Sequence, residues 1–248
     1  MKYFLTIALF LSLNAFGQRN LKDTSINTVI VGLSYDFNLT SGDVSKLWGF
    51  NHEIGLSIDN KFKNGFTIGM TSGFIFGNQF KDTTIFKNVV NSYGTITAMS
   101  GAPGKVLFLM RGATANINAG YVFKKLGNNP NSGLWLQGGV GFLMHKIRIE
   151  SIYDVVPQLE GDYKKGYDHL HMGFSTREFI GYLFQANRRF LNFYAGFEFI
   201  QGFTQNQRSY NFDLQGPEPG IKQDFFYGVK IGWLVPIYKR KARDFYID

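Results

Sequence analysis

Large apolar side chains alternate with small or polar ones in short runs along most of this chain, and residues 225–237 show the pattern most clearly. Phe225, Tyr227, Val229, Ile231, Trp233, Val235 and Ile237 fall on one face, and Gly228, Lys230 and Gly232 fall on the other. A period of two describes a strand with two unlike faces. Seven earlier runs obey the same rule: 28–37, 49–58, 66–76, 110–123, 134–146, 172–184 and 191–201. On the first, Val29, Val31, Leu33, Tyr35 and Phe37 oppose Thr28, Gly32, Ser34 and Asp36; on the second, Ile54, Leu56 and Ile58 oppose Asn51, Glu53 and Ser57. Each run is about the 9–11 residues, or slightly more, that a tilted strand needs to cross a bilayer. The sixth breaks the pattern once. Strict alternation sends Glu178 to the apolar side, and a bulge near it is expected to turn it away.

The connections alternate as well. With these ends, the links after Phe37, Phe76, Lys146 and Gln201 are all longer than the links between them. Outer-membrane barrels have short periplasmic turns and long external loops, with both termini in the periplasm when the strand number is even. In hydrocarbon an unpaired backbone amide costs several kcal/mol, so the last strand must pair with the first. The expected fold is all-β: an eight-stranded antiparallel up-and-down transmembrane β-barrel.

Composition sharpens this picture. The 248 residues include 29 glycines, 26 phenylalanines and 13 tyrosines, which suits strands facing lipid on one side and a crowded lumen on the other. Cysteine is absent, which excludes disulfides, thiol catalysis, cysteine-ligated metals and a lipoprotein anchor. The chain starts MKYFLTIALFLSLNAFGQ, with a basic residue, an apolar run and a small-x-small site at Ala15 to Gly17. This order predicts a signal peptide over 1–17 and a mature single barrel domain over 18–248, exported to the outer membrane and ending in a short basic periplasmic tail.

Eight strands enclose an interior just wide enough for side chains. The inward register carries Glu53, Arg177, Glu198 and Lys230, two acids and two bases that burial obliges to pair, so they are expected to plug the lumen, with Lys230 set against Glu198. Gly228 and Gly232 would make room around that lysine. The formal net charge is +8, or +7 without Lys2 of the signal peptide, and the excess is gathered on one rim. The proposed periplasmic segments, with Lys124, Lys125, Arg188, Arg189, Lys239, Arg240 and Lys241 prominent and Lys61 counted among them, carry twelve basic residues against four acidic ones. Such a rim suits anionic headgroups of outer-membrane lipid or an acidic periplasmic protein; an exported chain is a poor reader of nucleic acid.

One segment, DHLHMGFSTRE, offers competing chemistry. Asp168, His169, His171 and Ser175 could form an acid–base–nucleophile set of a lipid-modifying enzyme at the outer rim, and His169 with His171 could bind a metal. Neither signal is specific, and the reading carried forward has no catalytic residues, no metal and no cofactor. No phosphate-binding loop or zinc-ligand motif is present.

The closing GVKIGWLVPIYKR, with Gly228, Gly232, Trp233, Pro236 and Tyr238, resembles the last strand of Bacteroidota outer-membrane β-barrel families, the PorT-like group in particular. The chain departs from the most familiar outer-membrane ending because Lys239 to Asp248 continue past the terminal aromatic. What the resemblance implies is a non-enzymatic accessory subunit of a larger envelope complex, in outer-membrane protein assembly or secretion, with other barrels or lipoproteins as partners. A stand-alone surface protein binding through its long loops is the other non-catalytic reading, favoured by loops rich in branched and aromatic residues.

Overall fold

The computed structural model describes residues 24–186 and 191–237. The expected signal peptide, Arg188 and Arg189, and the tail with Lys239, Arg240 and Lys241 lie outside these residues. Eight long strands form the body: β1 (Thr28–Gly42), β2 (Asn51–Lys61), β3 (Phe66–Gly77), β4 (Pro103–Phe123), β5 (Gly133–Ile152), β6 (His171–Phe184), β7 (Phe193–Asn206) and β8 (Lys222–Ile237). Each pairs antiparallel with the next. The ring shuts where β1 meets β8, from Val29 opposite Ile237 to Gly42 opposite Asp224. The fold is an all-β, eight-stranded, up-and-down antiparallel barrel, with no open edge between its long strands.

We call the end with the long loops the outer end and the opposite one the inner end. The sheet is sheared. One hydrogen-bonded row starts at Asp36, halfway up β1, runs through Glu53, Ile75, Gly112, His145 and His171, and reaches Asn206 at the outer end of β7. Neighbours at one depth on successive strands therefore lie below the paired row, as strand tilt in a closed barrel requires.

Side chains alternate as the sequence pattern predicts. On β1 the residues of even number are buried through Asn38, while Leu33, Tyr35, Phe37 and Leu39 are exposed. The exposed wall continues through Ile54, Leu56, Ile58, Ile68, Met70, Phe74, Ile117 and Ile231. A continuous apolar wall around a closed sheet is a surface for hydrocarbon, not water.

Two expectations fail. There is no bulge at Glu178: β6 pairs without interruption with β5 and β7 from His171 onward, placing Glu178 opposite Gly138 and Phe199, exposed on the outer wall. A continuous ladder keeps every backbone hydrogen bond, and that preference outweighs turning one carboxylate inward. The strict long–short order of connections also fails, since the outer connection 43–50 is shorter than the inner turn 124–132. Strands extend beyond the expected ends, above all β4 and β5, which run outward to Pro103 and Ile152 as a ribbon joined by a two-residue strand, Ile96–Thr97. This ribbon is hidden in the sequence because KVLFLMR is apolar on both faces: Val106 and Phe108 pack on a loop core, and Leu107 faces out.

Candidate functional site: the lumen plug and the histidine mouth

Three layers fill the lumen. At the inner end Ile30, Val122, Trp135, Phe179, Leu183, Tyr194 and Leu234 form one apolar cluster. At the outer end a larger cluster combines lumen residues such as Ile75, Met110, Leu143, Ile200 and Phe226 with loop residues Trp48, Phe86, Val156, Leu159 and Tyr167. Between them lies the charged layer.

Glu53, Arg177, Glu198 and Lys230 are all buried there. Arg177 donates from Nε to Glu198 Oε2 at 2.8 Å and also from Nη2, and Lys230 Nζ lies 3.0 Å from the same oxygen. Asp36 completes the layer, 3.2 Å from Lys230 Nζ. It occupies the inward register of β1, where the alternation of the sequence places it. Glu53 accepts from Thr114 Oγ1 at 3.1 Å, and its carboxylate fills the space at Gly73, where a methyl group would overlap it. Gly232 leaves room for the ring of Tyr194. The carboxylates of Asp36, Glu53 and Glu198 approach one another closely enough to share an ion, but Lys230 and Arg177 already stand among them as counter-charges. Three carboxylates and two cations thus occupy the lumen at this depth, each cation within reach of a carboxylate.

The rim residues are split. Lys125 is exposed, and Lys124 is half-buried with Nζ donating to the Lys63 carbonyl at 2.6 Å. Lys61 is not on the rim: it is fully buried, donating to Asn131 Oδ1 at 3.0 Å.

At the outer mouth three of the four histidines converge on acids from another loop and from β8. His145 Nε2 is 2.9 Å from Asp224 Oδ2, which also accepts from Thr204 Oγ1. His171 donates from Nδ1 to the His169 carbonyl at 2.9 Å, and its Nε2 is 3.2 Å from Glu218 Oε2. His169, in a left-handed conformation at φ 41°, sets its two ring nitrogens 3.2 Å from Glu218 and from Asp213. Burial pushes the His169 pKa down, but hydrogen bonds with Asp213 and Glu218 outweigh it and raise it to about 9. Burial pushes Glu218 up, and hydrogen bonds from His169, His171, Lys222 and Asn206 pull it well below the usual carboxylate range. The residues surround a recess of about 200 Å³. Sequence reading missed Asp213, Glu218 and Asp224, because they come from a loop and a strand more than 40 residues away along the chain.

The alternative acid–base–nucleophile set is not assembled. Asp168 is engaged by Arg208, with Nε donating at 2.7 Å, and Ser175 is sealed in the lumen with its Oγ directed at Asn116. His169 and His171 instead hold two loops together. Around them the outer connections form one body: Phe86 stacks on Phe108 at 4.0 Å, Tyr167 packs on Phe212 at 5.1 Å, and Asn88 donates to the Phe212 carbonyl. The tips of this cap expose Tyr93, Met99 and Tyr153, at 89%, 76% and 93%.

No family model matches the chain, and no curated protein matches its sequence. Among solved structures it is similar to the attachment invasion locus protein Ail of Yersinia pestis, crystallised with a heparin analogue, at 10% identity and TM-score 0.46, covering 84% of this chain and 99% of that one. Neisserial surface protein A is similar at 9% identity and TM-score 0.44, over 84% and 96%. The N-terminal β-barrel domain of Pseudomonas aeruginosa OprF is similar at 12% identity and TM-score 0.36, over 84% and 98%. At such identities and scores, the likeness carries no inference about activity.

Proposed function

We propose that the protein is a non-catalytic integral outer-membrane barrel that binds another protein through its ordered external cap. One observation carries this reading: the outer loops share an apolar core over a sealed lumen and leave large side chains standing out at their tips. Met99 and Val155 are tied by a backbone hydrogen bond of 2.8 Å, so Met99, Tyr153 and Val155 form one protruding apolar patch, with Lys105 5.8 Å from the Tyr153 ring. Rigid, exposed aromatic tips are costly in water unless they meet a partner. The paired charges that occupy the lumen favour this reading over transport.

The accessory-subunit role implied by the PorT-like resemblance is the second form of this reading, supported by the basic inner rim at Lys124 and Lys125, which would face an acidic periplasmic partner. Gentle detergent extraction followed by mass spectrometry of co-purifying proteins separates the two. Partner recovery lost in Tyr153→Asp with Met99→Asp supports the cap. Recovery lost instead on charge reversal at Lys124, Lys125, Arg188 and Arg189 supports the accessory-subunit form. A clean monomer in every preparation rejects both.

A further inference from the structure

Glu178 stands in the middle of the apolar wall. It is midway along β6, next to Arg177 of the lumen plug. The next row toward the outer end passes through Val140, Thr176 and Gln201 and the one beyond it through Phe142, Phe174 and Phe203, while the next row toward the inner end passes through Leu136, Ile180 and Phe197. Among the described residues it has no hydrogen bond and no ion pair. A carboxyl group at mid-depth in hydrocarbon is expensive, so it marks a place where something else meets the wall.

The surface on either side of it is asymmetric. Toward β5 the register places Gly138 directly opposite Glu178, and a side chain added at Gly138 would meet nothing within 4 Å. Toward β7 stands Phe197, 66% exposed, the most exposed of the large apolar side chains on the barrel wall. Because the hydrogen-bonded rows climb outward from β5 to β7, Phe197 rather than Phe199 lies at the depth of Gly138. A groove of about 800 Å³ extends from Leu136 of β5 past Glu178, Ile180 and Phe197 to Tyr227 of β8 and Phe37 of β1.

From this arrangement we infer that the β5–β7 wall is the interface of a two-fold dimer of the chain within the membrane. Two copies inserted in the same sense are related by an axis along the membrane normal, which keeps every residue at its depth and exchanges left for right. The β7 flank of one copy then faces the β5 flank of the other, and Phe197 enters the space at Gly138 twice over. Glu178, between them, meets Glu178 of the second copy, where one carboxyl group donates to the other and each gains the partner it lacks in a single chain. A foreign cationic side chain would satisfy the acid but would leave the matched projection and hollow unexplained.

The absence of cysteine makes the test direct. Full-length Gly138→Cys and Phe197→Cys proteins are co-reconstituted in phosphatidylcholine vesicles and treated with a short bis-maleimide, with Leu56→Cys on a different wall as reference. The expected result is a 138–197 crosslink at least tenfold above any Leu56 product, reduced at least tenfold when both copies carry Glu178→Leu and less when they carry Glu178→Gln, whose amides still pair. Heat-dependent gel mobility confirms that each variant is folded, and its failure would reject the membrane barrel itself rather than the dimer. Crosslinking no greater than at Leu56, or unchanged by Glu178→Leu, overturns the inference. So does crosslinking of Phe197→Cys in native membranes to a different protein alone.

Discussion

Arg177 and Glu178 are consecutive residues of one strand, and the chain treats their charges in opposite ways. Arg177 points into the lumen, where Glu198 accepts from it and Asp36, Glu53 and Lys230 complete a closed set of charges. Glu178 points into the hydrocarbon wall, and among the described residues its side chain has no partner. Backbone pairing imposes this contrast, because a strand that keeps its ladder must send neighbouring side chains to opposite faces. A buried charge set within one chain stabilises only if complete, whereas a lone charge on the wall destabilises the monomer and finds relief only outside it.

The largest effect is expected on the lumen side. Arg177→Leu leaves three acids facing Lys230 alone and should destabilise the barrel by roughly 3–5 kcal/mol, read from urea-induced loss of the fast-migrating folded band in vesicles. The double variant Arg177→Met with Glu198→Met should recover most of that loss; equal stability of the single variant and the parent would mean that the plug is not a closed set. The mouth comes next. His169 is raised from 6.5 to about 9, so its contribution is whole below about pH 6.5 and is lost as pH climbs through 9. Hydrogen exchange in 153–170 and 207–221 should quicken across that window, by an amount equivalent to about 2–3 kcal/mol, and His169→Gln should abolish the dependence. An exchange rate that follows only the intrinsic chemistry would show that the histidines do not hold the loops. Smallest is the wall: Glu178→Leu should stabilise the isolated monomer by about 1–2 kcal/mol, less than the values for basic residues at the bilayer midplane. A destabilised monomer would mean that Glu178 has a role within its own chain.

Much of the fold was legible because the period of two survives where the strands form the barrel wall: the faces of β1, β2, β3 and β8 follow from reading alternate residues. The inward register of Glu53, Arg177, Glu198 and Lys230 follows from the same alternation, which also places Asp36 on the inner face of β1, a residue the sequence reading did not count with them. What escaped depends on contacts distant in sequence. Asp213, Glu218 and Asp224 reach the histidines from the other side of the barrel mouth, and no spacing along the chain announces them. The ribbon of β4 and β5 escaped because a strand with apolar residues on both faces has no alternation to read. Glu178 departs from the expected bulge in the other direction, because an unbroken ladder outweighs the cost of one exposed acid.

The pairing of Val29 with Ile237 also constrains biogenesis. The segment made first has its last neighbour in the segment made last, so a nascent or truncated chain lacking residues 222–237 carries two raw margins that nothing within it can cover. Such a chain has no stable halfway state in lipid. Any factor that inserts this protein must therefore shelter both margins until the final strand arrives.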